Sequence, residues 1–315
     1  MRILVTGGLG FIGQHLVKKL MSEFSDSTID IVDNLSNNSI KPEHIKSDNV
    51  NVVISSVDVF VPKDKYDYIY HLASPVGPAG VLNYAGKMGP MVVNDAYKLA
   101  KIALDMGAKL LDVSTSEVYG RDPGGIPQKE DIDKIVPSNI TIRLEYGVAK
   151  LLSEICLFNL MKVTPLKVNF IRPFNIIGPG QRGEVGFVLP RFVQSALSGE
   201  PLTVFGNGTQ VRTFTHVEDI VDAMIMIMKS KISGEVFNVG NPQNLISIHD
   251  LAKKVVEFSH SSSDIKFVDP TTIYGPYYAE AWNKIPDIHK IQNMLDWNPK
   301  WELDDIIKQV IEVNM

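Results

Sequence analysis

Residues 1–13, MRILVTGGLGFIG, place three signals in one short segment. The apolar run Ile3-Leu4-Val5 predicts a buried strand. It passes straight into Gly7, Gly8, Gly10 and Gly13, then into a helical pattern ending near Phe24. A glycine motif carries meaning when it follows a strand and opens a helix. Glycines there permit a tight turn, close backbone approach to a pyrophosphate, and close packing of helix on strand. The free N–H groups and positive dipole end of the helix then face phosphate.

The next apolar run, Ile29-Asp30-Ile31-Val32, ends at Asp33. That is roughly 20 residues past the last glycine, where a carboxylate accepts hydrogen bonds from an adenosine ribose. The loop Asn34 to Ile40 contains no Arg or Lys to hold a 2′-phosphate, so the expected cofactor is NAD rather than NADP.

Further strands are predicted at Val50 to Ile54, with Asp58 in the turn after it, and at Tyr68 to Leu72, ending in Ala73-Ser74. Pro75 to Pro90, rich in proline and glycine, is expected to be a site-lining loop. A helix over Met91 to Met106 leads to a strand over Lys109 to Val113, and then to Ser114-Thr115-Ser116-Glu117-Val118-Tyr119-Gly120. A polar loop spans Arg121 to Thr141. Glu145 to Met161 reads as helix and Lys167 to Ile171 as strand, closing at Arg172-Pro173. This alternation predicts an α/β fold: a Rossmann-type, doubly wound parallel sheet with its site at the carboxyl ends of the strands.

After Pro173 the rhythm changes. Asn175 to Arg191 reads as glycine-rich loop, Phe192 to Leu197 as helix and Leu202 to Phe205 as strand. A helix from Val217 and a strand over Glu235 to Val239 look like a return to the sheet, and the tail is mostly helical. The expected division is a dinucleotide domain over 1–172, with 214–240 returning to it. A smaller, discontinuous α/β substrate lobe then takes 173–213 and 241–315.

A net charge of −5 and the absence of a basic patch argue against nucleic acid. No apolar run approaches membrane-span length. The single cysteine, Cys156, excludes an intramolecular disulfide, and a strand that starts at once leaves no secretory leader; a cytoplasmic location is expected. The scattered histidines form no metal-ligand spacing, so no metal is expected.

Tyr146-Gly147-Val148-Ala149-Lys150 sets a phenol and an ammonium on one helix face. A nearby lysine cation, together with a positively charged nicotinamide, would lower the phenol's pKa toward neutrality, so it can take a proton from a sugar hydroxyl while hydride leaves for NAD. A second Tyr-x-x-x-Lys, Tyr97 to Lys101, reads as an ordinary helix pair, because no hydroxyl-rich strand end precedes it. Tyr146 follows Ser114-Thr115-Ser116. Glu117 beside those hydroxyls is either functional or a capping acid. Arg212 is a candidate grip for a diphosphate, or one half of a surface ion pair.

With these motifs in place, the chain resembles the extended short-chain dehydrogenase/reductases, specifically the NAD-dependent nucleotide-sugar epimerases, dehydratases and decarboxylases. The likeness runs through TGGLGFIG, HLAS (71–74), STSEVYG (114–120), YGVAK (146–150), RPFNIIGPG from Arg172, EPLTVFGNGTQVRTFTHVEDI from Glu200, GEVFNVGN from Gly234 and DWNP (296–299). It implies that Gly7, Gly10, Phe11, Ile12, Gly13, Asp33 and Asn34 hold the pyrophosphate and adenosine ribose, and that Asp58 meets the adenine. It implies that Leu72, Ala73, Ser74 and Pro173 line the cofactor channel and that Lys150 meets the nicotinamide ribose. Thr115, Glu117 and Tyr146 would act at the sugar, with Ser116 beside them. Asn175 and Arg212 would hold the diphosphate, and Phe187, Val188, Thr203 and Phe205 would surround the base.

Such enzymes begin by oxidising sugar C4 to a ketone, whose fate defines the enzyme. Thr115-Ser116-Glu117 and HLASP resemble the uronic-acid decarboxylases, so decarboxylation is the first reading. The alternative is a 4-epimerase of UDP-glucose or UDP-glucuronate. Net 4-dehydrogenation, 4,6-dehydration and a non-catalytic dinucleotide sensor complete the set. Where the family carries a phosphate-binding arginine before Pro286-Asp287, this chain has Lys284 as its nearest cation. The resemblance also implies a homodimer through a four-helix bundle built from Met91 to Met106 and Glu145 to Met161.

Overall fold

The computed structural model describes residues 1–45, 47–120, 124–138, 140–275 and 283–315. The first half runs β1 (Arg2–Thr6), α1 (Phe11–Glu23), β2 (Thr28–Asp33), β3 (Val50–Ile54), β4 (Tyr68–His71), α2 (Gly77–Asn83), α3 (Met88–Met106), β5 (Lys109–Val113), α4 (Ile142–Val163) and β6 (Lys167–Pro173). There follow β7 (Ile176–Ile177), α5 (Val188–Ser198), β8 (Leu202–Phe205), β9 (Val211–Thr213), β10 (Thr215–His216), α6 (Val217–Lys229), β11 (Val236–Val239) and β12 (Leu245–Ser247). The chain ends with α7 (Ile248–Phe258), β13 (Ile265–Val268), α8 (Thr271–Tyr274), α9 (His289–Leu295) and α10 (Leu303–Asn314).

Seven strands form one sheet in the order β11-β6-β5-β4-β1-β2-β3, and every pairing in it is parallel. The expected α/β doubly wound sheet is therefore present. β1 pairs with β2 on one side (Ile3 opposite Ile29) and with β4 on the other (Val5 opposite Tyr70). Strand order reverses there, which opens a crevice above the carboxyl ends. Side chains alternate across the sheet. Ile3, Val5, Leu111 and Ile171 pack under α1 and α6, while Leu4, Ile69, Leu110 and Val168 pack under α3 and α4. A separate apolar cluster joins α5, α7 and α10 through Phe192, Leu251 and Ile307. Ile288, Ile291 and Trp297 bury instead against the main sheet.

α4 starts at Ile142 rather than Glu145, with Thr141 as its cap, and three other helix boundaries differ from expectation for one shared reason. The supposed loop over Pro75 to Pro90 contains α2, and α3 starts at Met88 rather than Met91. The glycine-rich loop after Asn175 gives way to β7 and to α5, which starts at Val188 rather than Phe192. Each of these helices carries a proline in its first turn, where the missing N–H has no intrahelical partner to lose.

Candidate active site

The glycine turn is built to let backbones meet. Gly7 has φ +72, and a Cβ on it would lie 2.8 Å from Ala73 N; one on Gly13 would lie 2.2 Å from Gly7 O. α1 starts from Gly10 with no side-chain cap and no acid in its first turn. Its first N–H groups therefore face the crevice as an anion site, which fits a dinucleotide pyrophosphate. Asp33 Oδ2 accepts from Leu9 N at 3.0 Å and Oδ1 from Leu35 N at 2.9 Å, so the acid also pins the turn. Arg182, absent from the sequence reading, donates to Asn38 O at 3.1 Å from far along the chain.

One cleft of about 890 Å³ runs from this turn into the lobe formed by the later chain. It is lined by Gly7, Gly10, Phe11, Ile12, Gly13, Asp33, Asn34, Asp58, Leu72, Ala73, Ser74 and Pro173 at one end. Thr115, Ser116, Glu117, Tyr146 and Lys150 stand mid-cleft, and Asn175, Phe187, Val188, Phe205 and Arg212 line the rest. Pro75, Val76, Gly77, Val81, Leu82, Tyr84, Gly86 and Lys87 also line it. Thr203 does not. Its hydroxyl accepts from Arg191, whose guanidinium lies 4.4 Å over the Phe205 ring. Arg191 lines the cleft in its place. Arg212 is buried rather than a surface group, and donates to Val211 O at 2.8 Å. Asn175 adopts φ +34 and donates to Thr213 O at 2.9 Å. Tyr97 of the second Tyr-x-x-x-Lys is exposed on α3.

The chemistry-bearing end is set by two caps. Thr115 Oγ1 accepts from Glu117 N at 3.2 Å where β5 turns away. Thr141 Oγ1 accepts from Leu144 N at 3.2 Å and starts α4, which carries Tyr146 and Lys150. The Thr115 hydroxyl faces the Tyr146 phenol and draws its pKa down. The expected lowering of that phenol by Lys150 is not in place. Burial pushes Tyr146 above the usual phenol value, and the Glu117 charge adds to this. Lys150 Nζ is turned to Val113 O at 2.7 Å, and its own pKa is lowered by burial. Taking a phenolate out of water outweighs what one turned-away cation returns.

Glu117 lies in a clamp that the sequence hid. Arg143 Nε donates to its Oε2 at 2.9 Å and Nη2 reaches Oε1 at 2.5 Å. Lys284 Nζ pairs with the same Oε1 and lies 3.4 Å from Ser116 Oγ. Burial alone would push this carboxyl up, but the two cations hold it well below the carboxylate range. Burial brings Lys284 down to about 8. Arg143 stands three residues before Tyr146, a spacing that shares a helix face and that marks it in retrospect. No signal in the sequence joins Lys284 to Glu117. Among the described residues, no group of His, Cys, Asp and Glu could hold a metal, and no helix is long and apolar enough to cross a membrane.

A dinucleotide turn and a buried phenol opening into one cleft define a dinucleotide-dependent α/β enzyme. The chain belongs to the NAD dependent epimerase/dehydratase family, whose sequence pattern matches residues 3–240. It is 33% identical to a UDP-N-acetyl-alpha-D-glucosaminuronate decarboxylase of Bacillus cytotoxicus, over 99% of this chain and 97% of that one. It is 33% identical to UDP-glucuronic acid decarboxylase 1 of Xenopus tropicalis, over 98% of this chain and 71% of that one. A UDP-glucose 4-epimerase of Thermotoga maritima, solved with UDP-glucose, superposes with a TM-score of 0.85 at 27% identity, covering 100% of this chain and 98% of that one.

Proposed function

We propose that the protein decarboxylates a nucleotide-linked uronic acid by way of a C4 ketone, keeping its NAD through the cycle. The observation that carries this reading is the pair of cations, Arg143 and Lys284, beside the Thr115–Tyr146 pair. A uronate brings a C6 carboxylate into the cleft, and these groups can receive it. The two decarboxylase relatives support the same reading.

NAD, when bound, supplies the hydride acceptor for C4. Gly7, Gly10 and the first turn of α1 would hold its pyrophosphate, Asp33 and Asn34 its adenosine ribose, Asp58 its adenine and Lys150 its nicotinamide ribose. Tyr146 takes the C4 hydroxyl proton, with Thr115 orienting that oxygen. Because burial holds the phenol protonated, its proton leaves only when positive charge enters the cleft beside it. The C5–C6 bond then breaks, CO2 departs, and the electron pair is held by the C4 carbonyl as an enolate. A solvent proton adds at C5, hydride would return to C4, and Tyr146 gives its proton back to the C4 oxygen, so the cycle consumes one proton and releases one CO2. Asn175 and Arg212 hold the diphosphate, and Phe187, Val188 and Phe205 border the base.

The second reading is 4-epimerisation, favoured by the likeness to the Thermotoga maritima epimerase. Incubation with UDP-glucuronate, UDP-N-acetylglucosaminuronate and UDP-glucose, read by NMR, separates the two. Loss of C6 as CO2 supports the first. A C4-inverted sugar with every carbon retained supports the second and overturns the first.

The partner expected on the α3/α4 face is a second copy. Val148, Leu152 and Ile155 of α4 are 39%, 46% and 47% exposed, a helical apolar stripe, and Tyr97 of α3, which packs on α4, is exposed as well. Sedimentation tests this, with Leu152→Asp expected to give a monomer. A cytoplasmic location fits the lone, unpaired Cys156.

A further inference from the structure

Behind the candidate site the sheet buries a charge that the proposed reaction leaves unused. Asp112 sits on β5, opposite His71 of β4 and Phe170 of β6. Leu110, two residues before it, packs under α3 and α4, so Asp112 faces the same way. Its exposure is 0%. Ser153 of α4 faces it, yet neither Asp112 oxygen completes a hydrogen bond of ordinary geometry. His71 Nε2 stands 3.8 Å from Oδ1, while Nδ1 of the same ring is bonded to Thr6 Oγ1 at 2.8 Å. Thr6 is the last residue before the glycine turn.

Lys150 reaches this patch, its Nζ lying 2.7 Å from the O of Val113, the residue after Asp112 on β5, and among the described residues no carboxylate is within ion-pair distance of it. Two other acids feel its charge. Glu154 is committed to Arg172 at 2.5 Å and also receives the Ser114 hydroxyl. Asp95 of α3 lines the cleft and faces Asp58. Asp112 is the acid left with its charge undirected. A buried carboxylate without bonds is costly, and an apolar side chain would pack better there.

We propose that Asp112 is a positioning residue, the buried counter-charge that keeps the Lys150 ammonium protonated while Tyr146 exchanges its proton. The proposal rests on the C4-oxidation reading above. His71 is held neutral, well below its ordinary value, by burial and by Lys150, so it serves as a dipole and not as a rival charge. Burial lifts Asp112 to about 6, against the pull of Lys150. Burial also lowers Lys150, and Asp112 is the strongest force opposing that. Removing the carboxylate therefore lets Lys150 lose its proton at lower pH. Tyr146 feels the same carboxylate, more weakly than Glu117.

The test uses Asp112→Asn and Asp112→Leu in the full chain. Single-turnover appearance of NADH with the nucleotide sugar is followed against pH. The alkaline limb is expected to move down by about one unit, which is about fivefold in rate at the wild-type midpoint and approaches tenfold well above it. KM is expected to hold, and thermal melting to stay level or rise. An unmoved limb in both variants, or failure of both to fold, overturns the proposal. A substrate-free readout keeps it separable from the choice of reaction. Infrared titration is expected to show a protonated carboxyl near pH 6 that vanishes in Asp112→Asn and titrates higher in Lys150→Met. Absence of that band from wild type overturns the proposal whatever the substrate.

Discussion

Arg143 Nε donates to Glu117 Oε2 at 2.9 Å, and that bond ties the first turn of α4 to the turn that ends β5. Tyr146 follows on the same face of α4, and Thr115 precedes Glu117 on the same turn. The placement of phenol against hydroxyl is thus fixed by an ion pair whose charged groups bond neither of them.

Glu117→Gln leaves Arg143 and Lys284 side by side without their shared anion. Breaking a largely buried pair in this way is expected to cost about 3 kcal/mol of folding stability. Denaturant unfolding measures that loss. Turnover is expected to fall further than stability accounts for, because the Thr115–Tyr146 geometry loosens.

Lys284 carries a pH prediction with a definite sign. Its ammonium titrates near 8, lowered by burial against the pull of Glu117. Below that value the clamp has both cations; above it one is lost. CO2 release from a uronate substrate is therefore expected to decline above about pH 8. A guanidinium does not deprotonate in this range, so Lys284→Arg is expected to carry activity to higher pH. CO2 evolution measured across pH 6–10 compares the two.

Tyr146→Phe removes the proposed base while keeping the ring that packs with Met88 and Val92. Turnover is expected to fall roughly 10²–10⁴-fold, the usual range for a proton-transfer group. Calorimetry with NAD is expected to show unchanged binding. Full activity in the variant would remove the phenol from the mechanism.

Gly13→Ala tests the dinucleotide turn. The new methyl would lie 2.2 Å from Gly7 O and 2.6 Å from Gly8 Cα, so backbone must shift. Overpacking of this kind costs about 1–3 kcal/mol. Thermal melting is expected to fall, and NAD titration to weaken at least tenfold.

The sheet was readable because its signals are local. β3, β5 and β8 match their predicted ranges and β1 extends its predicted Ile3–Val5 by one residue at each end, each a compact apolar run ending in a turn. Helix starts were not readable at Met88 and Val188, because a proline counted as a breaker is harmless in a first turn. β9, β10, β12 and β13 escaped because strands of two to four residues carry too little period to see. In the cleft, Tyr146, Lys150 and Thr115 stood out through spacing. The Glu117–Lys284 contact spans 167 residues and leaves no periodic trace. Arg191 displaced Thr203 for a similar reason: a long side chain on α5 reaches past the strand residue it bonds.

β11 joins the sheet beside β6 only after the whole stretch 174–235 has been made. During synthesis the β6 ladder therefore has an open rim of unpaired N–H and C=O groups, able to recruit another nascent chain. Fragments ending anywhere in that stretch are expected to precipitate, and those reaching Val239 to stay dispersed. The vulnerable moment in this protein's life is set by the arrival of its outermost strand.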